Sequence, residues 1–467
     1  MAEIVTLNPA TGRELERFPY TSAQAVDAAL DRGRAAFAQW RAASFGDRAR
    51  LLAGVAARLR AQTQDLAQVA VREMGKPIVQ ARAEIEKCAR CCDFFAQNAE
   101  RFLQDELVES NATTSYVSFR PLGIVLAIMP WNFPYWQVFR AAAPALMAGN
   151  AMTLKHASNT TRCALEIERI FVEAGAPDGL FTTLLLTGER ATEIVADERI
   201  VAVTLTGSEG AGISVASAAG KVLKKCVLEL GGSDPFVVLG DADIDAAVGT
   251  AVTGRFQNNG QSCIAAKRFI VEESVYDRFL SHFAQASANQ LIGDPMDERT
   301  QLGPCARDDL RDALRTQITQ SVVDGARIVT GGKPIEGDGF FFEATVVGDV
   351  VPGMPMFDQE TFGPAAAVIR ARDDDHAIEL ANQSPFGLGS NLWTRDLDHA
   401  RRLAARIESG SVFINGMVAS DPRLPFGGVK RSGYGRELSS FGIREFVNVQ
   451  TVWVGPDKTG TSAKPAE

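Results

Sequence analysis

The chain has 467 residues, of which 46% are apolar and 22% charged, with a formal net charge of −9. That length exceeds one ordinary core, so two or three domains are expected. The acidic balance gives nucleic acid or an anionic membrane nothing to hold, and no apolar run reaches the ~18 residues that a spanning helix needs. The first residues lack a basic stretch followed by an apolar one, and seven cysteines are too few for a disulfide framework. The expected compartment is therefore a reducing cytoplasm.

In chain order, residues 21–40 read as an amphipathic helix capped by Thr21 or Ser22. Helical stretches follow over 47–71 and 77–104. The second carries Cys88, Cys91 and Cys92 on one face. Structural zinc usually takes four ligands in paired knuckles, so these three are read as helix packing and no metal site is expected. Residues 113–119 alternate like a strand. Strands at 124–129, 151–155, 181–186 and 201–206 then alternate with helices, the pattern of a doubly wound parallel sheet. Near 230–233 the pattern restarts, giving a second α/β unit with its own sheet to about residue 415. A late strand over 445–454 is expected to pair with 113–119 or with another subunit. Residues 458–467 read as a disordered tail.

The chemistry gathers around Cys263, at a junction between a polar loop with Gly260 and the strand 267–271. A thiolate attacks carbonyl carbon far better than a thiol, so such a site calls for a depressed pKa. Asn132, in Pro130-Trp131-Asn132-Phe133-Pro134, follows a strand at the sheet edge where α/β proteins bind ligands. Its amide is a typical oxyanion donor. Glu229 ends an apolar strand before Gly231 and Gly232. Partly apolar surroundings would raise its pKa and suit it to act as a base. The 34 residues between the two positions (263 − 229) permit adjacent strand ends to face each other. Gly207 and Ser208 open a helix after a strand, where a phosphate is favoured. Lys155, also at a strand end, could reach ribose hydroxyls or a phosphate.

Five stretches in this order resemble the NAD(P)-dependent aldehyde dehydrogenase superfamily, over about residues 6–454. They are residues 130–134 and 228–232, then Gly260-Gln261-Ser262-Cys263, Glu360-Thr361-Phe362-Gly363-Pro364 and residues 425–430. The resemblance implies an α/β fold with a Rossmann-like cofactor domain (1–112 and 121–230) and a second, catalytic α/β domain (231–430). It also implies a small β flap for oligomerisation (113–120 and 445–455), hence a homodimer or homotetramer. It makes Cys263 the nucleophile. Asn132 and the Cys263 N–H hold the oxyanion, and Glu229 activates the water that hydrolyses the thioester. Trp131, Lys155, Gly207, Ser208, Glu360 and Phe362 are placed with the cofactor, NADP or NAD.

Two departures bear on that cofactor. His156 follows the lysine where many relatives have proline. Ser158 stands where NAD-specific relatives often carry glutamate, so acceptance of NADP is expected. Trp136 and Arg140 share a helix face, and an arginine there suits a substrate carboxylate. With Ser262 and Ser420 they resemble the substrate pocket of short bacterial succinate semialdehyde dehydrogenases. The expected reaction is oxidation of that small aldehyde to its acid. The alternatives are another small aliphatic or aromatic aldehyde, CoA-dependent acylation, which would not need Glu229, or a cofactor-free thiol esterase, which would not need Lys155 and Glu360.

Overall fold

The computed structural model describes residues 3–455, so the expected tail lies outside the described residues. Two parallel-rich sheets dominate. The first has six strands in the spatial order Gly433–Tyr434, Lys225–Glu229, Ile200–Thr206, Ile124–Met129, Ala151–His156 and Phe181–Thr183. All neighbours are parallel except the short edge pair of Gly433–Tyr434 with Lys225–Glu229. Ile124–Met129 is almost wholly buried. An uninterrupted apolar strand can be satisfied only with helices on both faces of its sheet. The chain starts at this central strand, fills one side, then returns to fill the other. The reversal lies between Ile124–Met129 and Ile200–Thr206, and a crevice opens beyond their carboxyl ends.

The second sheet has seven strands in the order Arg327–Thr330, Thr345–Gly348, Ala365–Ala371, Ala266–Glu272, Asp234–Val238, Gly389–Trp393 and Ser411–Ile414. Only Arg327–Thr330 is antiparallel to its neighbour. The expected second unit is therefore present. The chain after it returns to the first unit through Gly433–Tyr434. A third sheet joins Val447–Val454 to Thr114–Pro121, which also pairs with Glu106–Leu107.

Several local readings change. The helix expected over 47–71 is two helices, Phe45–Ala61 and Thr63–Met74, broken at Gln62. The strand at 181–186 stops at Thr183. Ser22, not Thr21, caps Ala23–Trp40; the Thr21 hydroxyl instead accepts the Leu185 N–H at 2.9 Å. A hairpin of Glu3–Asn8 with Arg13–Pro19 had no reading from the sequence. Cys88, Cys91 and Cys92 are buried in the helix Ile78–Leu103, and the Cys91 thiol faces the Phe139 carbonyl at 3.9 Å.

Candidate active site

Asn132 follows Ile124–Met129 at the mouth of the crevice. Its Nδ2 donates to the Gln261 carbonyl at 3.1 Å, which leaves the second amide proton for a ligand. The Asn258 amide donates to the carbonyls of Asn132 (2.7 Å) and Gln261 (2.9 Å), tying the oxyanion loop to the cysteine loop. Asn258, Asn259 and Gly260 all have positive φ (55°, 58° and 71°), a region that asparagine tolerates better than most residues. At Gly260 a Cβ would collide with the Gly363 backbone, so only glycine passes there. The Asn259 amide donates to the carbonyls of Gly75 (2.8 Å) and Pro304 (2.9 Å), and its oxygen accepts the Gly303 N–H at 2.7 Å. Buried Arg255 adds bonds to the carbonyls of Ala365 (2.6 Å), Thr361 (3.0 Å) and Gly260 (3.2 Å). The loop that presents Cys263 is thus fixed by side chains bonded to distant backbone.

Cys263 is half-buried and forms part of the walls of two cavities. The first, about 400 Å³, runs from the crevice past Trp131, Lys155, Gly207, Ser208, Glu360 and Phe362. Ser208 caps the 13-residue helix Glu209–Lys221, so a helix amino end and a half-buried lysine face this cleft. Glu360 is anchored: one oxygen accepts the Gly232 N–H at 3.0 Å and pairs with the Lys267 ammonium at 3.1 Å. Lys267 also donates to the Cys263 carbonyl at 2.7 Å. At Gly231 a Cβ would come within 2.5 Å of the Glu360 carboxylate, so the glycine is needed for this approach. Ser158 is exposed and outside the cleft wall, next to Ala157, which is part of it. His156 has a definite part to play. Burial pushes its pKa down to about 4, so it is neutral; Nδ1 accepts the Ala157 N–H at 2.9 Å, and Nε2 then donates to the Pro134 carbonyl at 2.9 Å.

The second cavity, about 280 Å³, brings together Trp136, Arg140, Ser262 and Ser420 around Cys263, with Lys87 and Phe426. The Trp136 indole donates to the Ser420 hydroxyl at 2.9 Å. The helix Trp136–Met147 is seated by buried Glu84, whose carboxylate accepts the N–H groups of Tyr135 and Trp136 at 2.9 Å each and pairs with Lys76. Arg140 is almost fully buried and forms an ion pair with Glu437. Its Nη2 donates to the Thr206 hydroxyl at 3.2 Å, and its guanidinium lies 4.6 Å from the Phe426 ring centre. The substrate carboxylate assigned to Arg140 from the sequence thus has a competitor already in place.

Two sequence expectations need correction, while the expected rise in the Glu229 pKa is met. Glu229 and Cys263 are not on adjacent strand ends of one sheet. Lys225–Glu229 belongs to the first sheet, whereas Cys263 precedes Ala266–Glu272 of the second. Glu229 is fully buried, neither carboxylate oxygen has a hydrogen-bond partner, and it lines neither cavity. Burial, then the neighbouring Glu437, raise its pKa well above the usual carboxylate range, while Arg140 opposes them. The Cys263 thiol is not depressed either. Burial pushes it up to about 11, against the pull of Arg140 and Lys267. The resting sulfur is a thiol, and nucleophilic attack requires that its proton leave.

Sequence reasoning missed Lys87, Glu84, Glu437 and Arg307. Arg307 lies in the cofactor-side wall, 6.0 Å from the Trp131 ring centre. Lys87 and Glu84 sit among Glu86, Arg90 and Asp93 on one helix, where a charged run looks like an ordinary solvated face.

The aldehyde dehydrogenase family model matches residues 2–452. The chain belongs to the aldehyde dehydrogenase family. It is 49% identical over 449 residues to the succinate semialdehyde dehydrogenase [NAD(P)+] Sad of Escherichia coli strain K12, covering 96% of this chain and 97% of that protein. It is 50% identical over 454 residues to succinate-semialdehyde dehydrogenase [NADP(+)] 1 of Mycobacterium tuberculosis H37Rv, covering 97% and 99%. The crystal structure of the Streptococcus pyogenes succinic semialdehyde dehydrogenase with NADP+ superposes with a TM-score of 0.95 at 38% identity, covering 97% of this chain and all of that one. The expected α/β architecture, with its Rossmann-like and second α/β domains, is that of the family. An aldehyde dehydrogenase needs a dinucleotide beside its nucleophile, and the first cavity fits one. It combines a helix amino end, a cation, an anchored carboxylate and apolar walls from Leu230 and Phe362, and it ends at Cys263.

Proposed function

We propose that the protein oxidises succinate semialdehyde to succinate with NADP+, and that NAD+ can replace it. The observation that carries this reading is Cys263 as the shared wall of two cavities. One has the makings of a dinucleotide site. The other is small, at the low end of the range of about 300–1,000 Å³ for ligand pockets, and three cations, Lys87, Arg90 and Arg140, line it against one carboxylate, Glu84. The relatives named for this substrate share half of the sequence over nearly its whole length.

Lys155, Gly207, Ser208, Glu360, Trp131 and Phe362 would hold the cofactor, and Ser158 stands at the rim. When bound, the cofactor supplies a cationic hydride acceptor whose charge also favours the thiolate. Cys263 Sγ gives its proton to water and adds to the aldehyde carbon, and the carbonyl oxygen becomes an oxyanion. The free Asn132 amide proton and the Cys263 N–H stabilise that charge. Loss of hydride leaves an acyl thioester on Cys263. Glu229, turned from its buried rest toward the thioester, takes a proton from water, the resulting hydroxide attacks the acyl carbon, and the C–S bond breaks to release the acid and the Cys263 thiolate. Burial and the neighbouring Glu437 raise the pKa of Glu229, which makes its carboxylate a stronger base than that of an exposed glutamate. Trp136, Ser262 and Ser420 shape the pocket. Val447–Val454, an edge strand with exposed Val449, Trp453 and Val454, is the surface we assign to subunit assembly.

The test is an aldehyde panel with NADP+ and NAD+, followed at the reduced nicotinamide absorbance. Succinate semialdehyde should exceed butanal in kcat/KM, and NADP+ should exceed or match NAD+. Equal kcat/KM for the two aldehydes would remove the substrate assignment, and a strong NAD+ preference would remove the cofactor assignment.

A further inference from the structure

We propose that Lys87, on the helix Ile78–Leu103, is the residue that binds the distal carboxylate of the aldehyde, with Ser420 as its partner and Trp136 as its rest. This rests on the carboxylate-bearing substrate argued above. Two of the cavity's charged side chains already have partners: Arg140 is paired with Glu437, and Glu84 is paired with Lys76 and accepts the N–H of Trp136 at the start of the helix Trp136–Met147. Lys87 has no carboxylate within ion-pair distance among the described residues. Its ammonium donates to the Ser420 hydroxyl at 2.8 Å and lies 4.1 Å from the Trp136 ring centre. A lysine held by one neutral acceptor and one ring face keeps donor capacity for an anion. Its surroundings also make that anion favourable. Burial lowers its pKa to about 8, with Arg140 adding to the effect and Glu84 opposing it, so a bound carboxylate would restore what burial removes.

Position points the same way. Lys87 and Ser420 line both the inner cavity and an outer vestibule of about 590 Å³ bordered by Arg90 and Arg423. An aldehyde that enters from that side with its carbonyl toward Cys263 leaves its other end beside Lys87. Arg90 is exposed and free to draw anions toward the mouth, whereas Lys87 stands where the walls close.

The experiment compares Lys87→Met, Lys87→Gln and Lys87→Arg in the full-length protein, with succinate semialdehyde and butanal as substrates. Lys87→Met and Lys87→Gln should raise KM for the semialdehyde about ten- to a hundredfold, as loss of one charge-assisted bond does. The change for butanal should be at least tenfold smaller, and Lys87→Arg should recover most of the semialdehyde KM. Butanal turnover also reports that each variant is folded. Equal losses on both aldehydes, or an unchanged semialdehyde KM, would overturn the assignment. If the unsubstituted protein already fails to prefer the semialdehyde, the proposed substrate falls and this assignment with it. A preference that survives Lys87→Met removes the assignment alone.

Discussion

The two cavities that meet at Cys263 are built differently. The cofactor-side cleft is made at strand ends, where residues 130–132, 206–208 and 230–231 leave their strands through short turns. Each turn carries its own chemistry in a few consecutive residues. The substrate cavity joins the Cys263 loop to a helix far upstream, the helix Trp136–Met147 and a loop near Ser420, elements that are distant from one another in the chain. Strand-end sites are set by local turn chemistry and so can be read locally. A cavity between packed elements takes its character from which charges are neutralised, and that is a property of pairs. Arg140 and Lys87 illustrate it. One has a carboxylate partner and the other does not, and the partner, Glu437, is nearly 300 residues away in the chain.

Replacing Cys263 with alanine strikes both sides at once and should have the largest effect. We expect a loss of about 10⁴-fold or more in kcat with every aldehyde and either cofactor, while circular dichroism stays unchanged. Residual turnover of semialdehyde alone would mean that the cavities do not share one nucleophile. Next, Glu229→Gln should slow thioester hydrolysis by about 10²–10⁴-fold. A burst of reduced cofactor should survive, and mass spectrometry should find acyl-Cys263. The working form of Glu229 is the carboxylate, and its pKa is raised, so deacylation in the unsubstituted protein should climb as pH rises through that pKa and fall away below it. The variant should lose this acidic limb; a limb that persists assigns the base elsewhere.

Arg140→Ala sharpens the contrast within the substrate cavity. It leaves Glu437 buried without its cation, which costs about 3–5 kcal/mol. Chemical denaturation should show that loss, and both aldehydes should suffer alike, unlike the selective effect of removing Lys87. A smaller change is expected at the cofactor rim. Ser158→Glu should lower kcat/KM for NADP+ by about tenfold through repulsion of a 2′-phosphate, a difference of about 1.4 kcal/mol, and leave NAD+ little affected. An unchanged kcat/KM for NADP+ would remove Ser158 from the cofactor rim.

The sequence by itself determined the alternation of strands and helices, because buried parallel strands such as Ile124–Met129 must be apolar throughout and their crossovers must be amphipathic. It also singled out Cys263, Asn132 and the glycine turns, because each stands in a short motif of consecutive residues. Tertiary structure decided the rest. Asn258 and Asn259 look like a polar loop until their amides are seen bonded to the carbonyls of Asn132 and Gly75, each more than a hundred residues away. The break at Gln62 and the hairpin Glu3–Asn8 with Arg13–Pro19 depend on packing that overrides weak local preference. Most of all, burial decided the protonation of Cys263 and Glu229. Sequence named a thiol and a carboxyl, but only the fold, by withdrawing both from water and placing Glu437 beside Glu229, raised Cys263 to about 11 and Glu229 well above its usual range, against the opposing pull of Arg140 on both and of Lys267 on Cys263.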